Sequence, residues 1–321
     1  MRALITGIVG FAGSYLAAEL LESGYQVYGT QLPDENRDKL RGIVKSVKIS
    51  NLDLTDSGAT ARYIRRIKPE VVFHLAAQSA VRPSFSNPQF TYNVNIIGSS
   101  NLLEALRSVD TLKGCLLVTT SDIYGAIKRG DLPLKETQSM KPVSPYGVSK
   151  AAVDMMGYQY FKSYGMPIVR ARAFNHTGPR QNTGFVLPDF CSQVAMIEAG
   201  QQKPAMKVGN LQAEIDLSDV RDVVRGYRLL AEKGKHGEAC HLCSGKSTKI
   251  SYLLERVREL SVKEFVVVGD KKLLRPSDVP KVVGDYSKAK RAVGYKPEHD
   301  LEITIEDTLD YWRRVVRRYK K

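Results

Sequence analysis

A doubly wound parallel α/β sheet with a smaller C-terminal α/β lobe is the fold class this chain predicts. Three observations point to it. Short apolar runs alternate with helical stretches through the first half, a glycine-rich turn follows directly on the first run, and after Asn175 the alternation loosens as Pro and Gly become frequent.

The apolar runs predict strands over Ala3–Thr6, Gln26–Thr30, Ser46–Ser50, Val71–Leu75, Cys115–Thr119 and Ile168–Arg172. The stretches between them, Phe11–Ser23, Ala59–Ile67, Tyr92–Ser108 and Tyr146–Tyr164, read as helices. Beyond Asn175 the elements are shorter. Strands are expected at Met206–Gly209, Cys240–Leu242 and Phe265–Val268, and helices at Val220–Glu232, Ser251–Leu260 and Ile303–Tyr319. No linker separates the halves, so the division is soft: 1–175 as a dinucleotide-binding domain, and 176–321 mainly as a substrate lobe with the chain crossing back. At 321 residues the chain can bury a large core.

Composition narrows the function classes. The chain is 43% hydrophobic and 26% charged, without a low-complexity tract. Nothing approaches the apolar span of about 20 residues that a membrane helix needs. The opening Met-Arg-Ala-Leu-Ile-Thr reads as a strand rather than a signal peptide, so a cytoplasmic address without membrane attachment is expected. The net charge of +14 owes much to the C-terminal tail, where six of the last nine residues are Lys or Arg. They form the solvated end of an amphipathic helix (Ile305, Leu309, Trp312, Val316), and with no binding module beside them nucleic acid is not an expected partner. The remaining positive charge suits an anionic small substrate such as a nucleotide diphosphate. Cys240 and Cys243 form a lone C-x-x-C inside a strand-like run. Residues three apart on a strand face opposite ways, so these and Cys115 and Cys191 read as core thiols, and no metal is expected.

The first chemical signal is Thr6-Gly7-Ile8-Val9-Gly10-Phe11-Ala12-Gly13, spaced G-x-x-G-x-x-G after a strand and before a helix. The glycines permit the tight turn and the approach of a pyrophosphate, whose charge the helix N-terminus receives. The fold is therefore expected to be Rossmann-type, with Gly7, Gly10, Phe11, Ala12 and Gly13 binding the cofactor. At the end of the second strand, where NAD-binding folds usually place an acid, this chain has Thr30 and Gln31, followed by Arg37, Lys39 and Arg41. That favours NADP(H), while Asp34 and Glu35 leave NAD(H) as the alternative.

Tyr146 and Lys150 stand four apart on a helix beginning near Pro145, so the phenol and the ammonium share one face. A free tyrosine, with a pKa of about 10, is a poor base. A neighbouring cation is expected to draw that pKa toward the working range. At the end of the fifth strand, Thr120 could hydrogen-bond a substrate oxygen, and Asp122 could act as a second acid/base. Beyond the sixth strand, Asn175, His176, Arg180 and later Arg275 offer amide and guanidinium groups to an anionic substrate.

These residues resemble the extended short-chain dehydrogenase/reductase family that modifies nucleotide sugars. The likeness spans nearly the whole chain: the glycine turn, Asn51-Leu52-Asp53-Leu54, His74-Leu75-Ala76-Ala77-Gln78, Asn93-Val94-Asn95 through Ala105, Thr120, Tyr146, Lys150, Phe174-Asn175-His176, Val208-Gly209-Asn210-Leu211 and Arg275-Pro276-Ser277. The resemblance implies that Asp53 and Leu54 lie by the adenine and that Leu75, Ala76 and Ala77 border the cofactor. It puts Tyr146 and Lys150 at the nicotinamide end. Ser79, Ser121, Asn175, Arg180, Val186, Asn210 and Arg275 would face the substrate. It also implies a homodimer through a four-helix interface built from Tyr92–Ser108 and Tyr146–Tyr164.

Within the family, the Asn-His pair, Gly184-Phe185-Val186 and Val-Gly-Asn-Leu are similar to the GDP-mannose branch. The chain has Gly10-Phe11-Ala12-Gly13 where dehydratases of that branch read Gly-Gln-Asp-Gly, and it lacks their insertion before the Arg-Pro pair. Glu214-Ile215-Asp216 lacks the arginine usual before the aspartate. The first expectation is an NADP(H)-dependent reductase of a GDP-linked 4-keto-6-deoxymannose. The alternatives are a GDP-mannose 4,6-dehydratase, for which Ser121-Asp122 resembles the Ser-Glu pair, a 4-epimerase resembling Val81-Arg82-Pro83-Ser84, and a non-catalytic NADP sensor.

Overall fold

β1 (Arg2–Thr6), buried from Ala3 onward, lies within a seven-stranded sheet of the computed structural model, which describes residues 1–125, 127–273 and 279–318. The further strands are β2 (Gln26–Gln31), β3 (Lys48–Asn51), β4 (Val71–His74), β5 (Gly114–Thr120), β6 (Ile168–Ala173), β7 (Asn175–Thr177), β8 (Ala205–Val208), β9 (Glu214–Asp219), β10 (Ala239–Leu242), β11 (Ser247–Lys249) and β12 (Val266–Gly269). The large sheet runs β10-β6-β5-β4-β1-β2-β3, with every pair parallel. Strand order reverses between β1 and β4, and such a reversal opens a crevice at the carboxyl edge.

The helices are α1 (Phe11–Glu22), α2 (Ser57–Ile67), α3 (Val81–Ser86), α4 (Pro88–Tyr92), α5 (Gly98–Leu106), α6 (Pro145–Tyr164), α7 (Val186–Glu198), α8 (Val220–Lys233), α9 (Ile250–Glu259), α10 (Ser287–Val293) and α11 (Leu301–Arg318). One core joins α1, α8 and α10 to the sheet, and a second joins α2, α5 and α6. A third core, around Leu187, Phe190, Leu253 and Ile305, ties α7, α9 and α11 to β8 and β12 in the later part of the chain.

Local chemistry sets the ends of the site-bearing helix. Ser144 caps α6 by accepting from Gly147 N at 3.0 Å, Pro145 occupies the first turn where its missing N–H costs nothing, and Gly165 stops the helix at φ 67°. Asp154, fully buried, then clamps α6 to β6. It accepts from Arg170 Nη1 at 2.7 Å and from Arg172 Nε and Nη2 at 2.8 Å each.

Several elements depart from the sequence reading. The third strand starts at Lys48 because Val44–Ser46 is taken up by a 3-10 turn. The helix expected over Tyr92–Ser108 is α4, a π-helical turn at Asn93–Ile97, and α5 in succession. α7 was not expected at all. Its Pro188 sits at the third helical position, where the N–H has no partner within the helix anyway. The strand around Cys240 leaves the later part of the chain and pairs with β6 in the large sheet. Tyr319, expected to end the last helix, lies outside the described residues.

Candidate active site

The turn after β1 is shaped for close backbone contact. Gly7 takes φ 73°, and a Cβ on it would sit 3.0 Å from the Ala76 backbone. A Cβ on Gly13 would fall 2.3 Å from Gly7 O, so only glycine lets α1 pack this near the turn. Gly10 caps α1 with no side-chain hydrogen bond, and Phe11 and Ala12 open the helix. This open cradle at a helix N-terminus, ending at the strand-order reversal, fits a dinucleotide pyrophosphate.

Leu75, Ala76 and Ala77 follow β4 beside this turn, and Ala76 N donates to Thr6 Oγ1 at 3.2 Å. Thr30 and Gln31 end β2, both buried. Gln31 Oε1 accepts from Arg37 Nε at 2.8 Å, which draws Arg37 to the strand end, while Glu35 Oε2 accepts from Leu32 N at 2.8 Å. Base and acid therefore both flank this strand end. Asp53 follows β3 and accepts from Thr55 N at 2.9 Å. Leu54 is buried, and its carbonyl accepts from Asn101 Nδ2 at 2.9 Å.

At the carboxyl edge of β5 the structure brings the four expected catalytic residues together. Thr120 Oγ1 accepts from Asp122 N at 3.2 Å and is hydrogen-bonded to the Tyr146 phenol. Tyr146 and Lys150 are nearly inaccessible, at 8% and 4% exposed. Burial pushes the phenol well above its ordinary value, the Asp122 charge adds to this, and Thr120 opposes it. The phenolate expected from the sequence is thus not what the fold favours. Lys150 Nζ donates to Val118 O at 2.9 Å, and burial pulls its ammonium down to about 8. The site presents a neutral phenol, which is a proton donor, and one helical turn further along α6 a buried lysine bonded to β5.

A buried network that the sequence reading assigned no role ties the glycine turn to α6. His74 pairs with Thr6 Oγ1 through Nδ1 and with Ser99 Oγ through Nε2, each at 2.8 Å. Ser99 spends its hydroxyl proton on Asn95 O, so it must accept from His74, and Nε2 carries the hydrogen. Burial holds His74 down to about 3, hence neutral, with the nearby Lys150 charge contributing. Asn95, in the π-helical turn, exchanges hydrogen bonds with Gln78 N and O and donates to Ser149 Oγ at 2.9 Å. Ser149 donates to Tyr146 O at 2.7 Å. A buried amide inside a helical stretch was the signal that could have marked Asn95.

The residues expected on the substrate are more scattered. Ser79 lies in the loop after β4 and Ser121 is buried at the end of β5. Asn175 begins β7, Val186 begins α7, and Asn210 follows β8, accepting from Gln212 N at 2.9 Å. Arg180 lies against α1, donating to Lys39 O at 2.8 Å with its guanidinium 3.7 Å over the Tyr15 ring. Arg275 lies outside the described residues. His176 stacks on Phe11 and pairs with Phe174 O at 3.0 Å. Among the described residues no cluster of His, Cys, Asp and Glu could hold a metal ion, and no helix is long and apolar enough to cross a membrane.

Comparison with known proteins agrees with this geometry. GDP-6-deoxy-D-mannose reductase from Pseudomonas aeruginosa is 29% identical over 316 residues, covering 98% of each chain. GDP-mannose 4,6-dehydratase from Vibrio cholerae is 30% identical over 346 residues, covering 95% of this chain and 91% of its own. The solved structure of RMD from Pseudomonas aeruginosa complexed with NADPH superposes with a TM-score of 0.85 at 29% identity, covering 98% of this chain and 99% of that one. The model of the GDP-mannose 4,6 dehydratase family matches residues 4–308. With that match running nearly end to end over a glycine cradle and a Thr-Tyr-Lys centre, the chain belongs to the GDP-mannose 4,6 dehydratase family, nucleotide-sugar enzymes of the extended short-chain dehydrogenase/reductase type.

Proposed function

We propose that the enzyme is an NADP(H)-dependent reductase that converts a GDP-linked 4-keto-6-deoxymannose to the 4-hydroxy sugar. The carrying observation is Tyr146, a phenol kept protonated by burial, hydrogen-bonded to Thr120, and tied to the glycine turn through Ser149, Asn95, Ser99 and His74. When bound, the nicotinamide supplies hydride to C4 of the sugar. Tyr146 donates its proton to the C4 oxygen as negative charge develops there, and Thr120 orients that oxygen. Lys150, still a cation at neutral pH, stabilises the phenolate left behind. Asn175, Val186, Asn210 and Arg275 are assigned to the GDP-sugar, with Ser79 and Ser121 at the sugar end.

Alignment lengths support reduction over dehydration. The match to the reductase runs 316 positions over 98% of the 321-residue chain, which leaves almost no room for insertions in that relative. The match to the dehydratase runs 346 positions, more than the chain's own 321 residues, so the relative carries insertions. NADP(H) is supported by Arg37 at the end of β2 and by the NADPH complex of RMD.

One observation favours the dehydratase as a second reading: the Asp122 charge acts on Tyr146, placing a carboxylate where C5 and C6 chemistry would need one. Incubation with GDP-mannose, with and without NADPH, separates the two. The proposed enzyme leaves GDP-mannose unchanged in both; formation of a GDP-4-keto sugar would establish the dehydratase.

The proposed assembly is a homodimer. Val148, Met155 and Tyr158 on α6 are 41%, 65% and 47% exposed, while Phe90 on α4 and Ile97 in the π-helical turn are 54% and 47% exposed. Seven-residue spacing puts Val148 and Met155 on one stripe of α6, and Phe90 and Ile97 add exposed apolar surface on its neighbour. These surfaces suit the same helices of a second copy.

A further inference from the structure

The loop that follows β7 crosses onto the first turns of α1. His176 stacks on Phe11, Tyr15 Oη donates to Pro179 O at 2.9 Å, and the Arg180 guanidinium lies over the Tyr15 ring. The loop is held rigidly by Gln181, which is buried, accepts from Thr177 Oγ1 at 2.7 Å and donates to His176 O at 3.2 Å. Arg180 itself is held at φ 71°, a left-handed conformation that is strained for a non-glycine residue. In this conformation its guanidinium points at the loop after β2.

There Arg180 meets a second cation. Its Nη1 donates to the Lys39 carbonyl, and Lys39 is only partly exposed. Burial pulls the Lys39 ammonium below its ordinary value, Glu35 and Asp38 push it back, and the Arg180 charge adds to the lowering. Two residues earlier Arg37 is drawn to the end of β2 by Gln31. Arg180 and Lys39 thus meet in the loop after β2, on the adenosine side of a dinucleotide cradle, where they repel each other, and Arg37 sits at the strand end from which that loop leaves. An anion placed among them relieves that repulsion.

We propose that Arg180 is a specificity-determining residue for the cofactor: together with Lys39 and Arg37 it holds the 2′-phosphate of NADP(H), reaching that group from the second half of the chain. This departs from the substrate role expected from the sequence, and it rests on the NADP(H) reading given above. Asn175, in β7, and Arg180, in the loop that follows it, would let one segment serve both ligands.

The test compares the wild-type protein with Arg180→Met, which keeps the stem but removes the charge, and with Arg180→Lys. Dissociation constants for NADPH and NADH are measured by nicotinamide fluorescence without turnover, with the thermal midpoint as a folding control. Losing one charge-assisted contact to phosphate should weaken NADPH binding by about tenfold or more in Arg180→Met. NADH binding should change by less than about threefold, and Arg180→Lys should recover part of the loss. Equal weakening of both cofactors would make Arg180 a packing residue and overturn the inference. So would unchanged NADPH binding with a raised KM for the GDP-sugar at saturating cofactor, which would return Arg180 to the substrate. A wild-type protein that binds NADH as tightly as NADPH would instead refute the cofactor reading itself.

Discussion

Tyr146→Phe removes one oxygen and the transferable proton while keeping the ring. On the proposed mechanism that phenol protonates C4, so turnover should fall by about 100-fold or more, with little change in cofactor affinity. Steady-state kinetics alongside a cofactor titration check this. On the same proposal the protonation of Lys150 sets the alkaline limit. Its folded pKa of about 8 lies below the ordinary value of about 10.4, so at neutral pH the residue is charged and loses its proton as pH rises through 8. Turnover should therefore decline above about pH 8, and a profile flat to pH 10 would contradict that role. For stability the sign is the reverse. The cost of burying the cation is present in full below 8 and is relieved between about 8 and 10.4. The presence of Tyr146 and Lys150 was legible because four-residue spacing on a helix is a local property. Their protonation states were not, because they depend on burial by β5 and on Asp122, which come from elsewhere in the chain. Asn95 was illegible as a positioning residue for a similar reason, since its partners Gln78 and Ser149 lie 17 and 54 residues away.

At the scale of elements, α6 matters most because it carries both Tyr146 and Lys150. Its clamp is the Asp154 carboxylate between Arg170 and Arg172. Asp154→Asn leaves two buried guanidinium groups without a counter-charge, and breaking a buried pair in this way costs about 3–5 kcal/mol. Denaturant unfolding should show a loss of that order, whereas an unchanged midpoint would mean that α6 is held by packing alone. The strands of the large sheet were readable as apolar runs, and the ends of α6 as Pro145 and Gly165. Two features were not. α7 was hidden by Pro188, which marks a break in isolation but is harmless in a first turn. The π-helical turn at Asn93–Ile97 has the composition of an ordinary helix, and only the buried Asn95 requires the extra residue.

For the whole molecule, the parallel sheet and the position of the crevice followed from the alternation of elements and the glycine turn, while the return of β10 to the edge beside β6 did not. A four-residue strand carries no local mark of which sheet it joins. The assembly can be tested directly. If the exposed apolar surfaces on α4, the π-helical turn and α6 meet their copies, sedimentation at micromolar concentration should give a dimer of the 35.7 kDa chain, and Met155→Lys should shift it toward monomer. A wild-type monomer would contradict the interface.

Supplying GDP-4-keto-6-deoxymannose with NADPH deuterated at its transferable position decides the direction of the chemistry. The proposed reductase should consume NADPH stoichiometrically, leave one deuterium at C4 of the product sugar, and retain a substantial fraction of turnover in Asp122→Asn, because Tyr146 would supply the only proton that must move. No consumption of NADPH with this substrate, together with conversion of GDP-mannose to a 4-keto sugar that is abolished in Asp122→Asn, would contradict it.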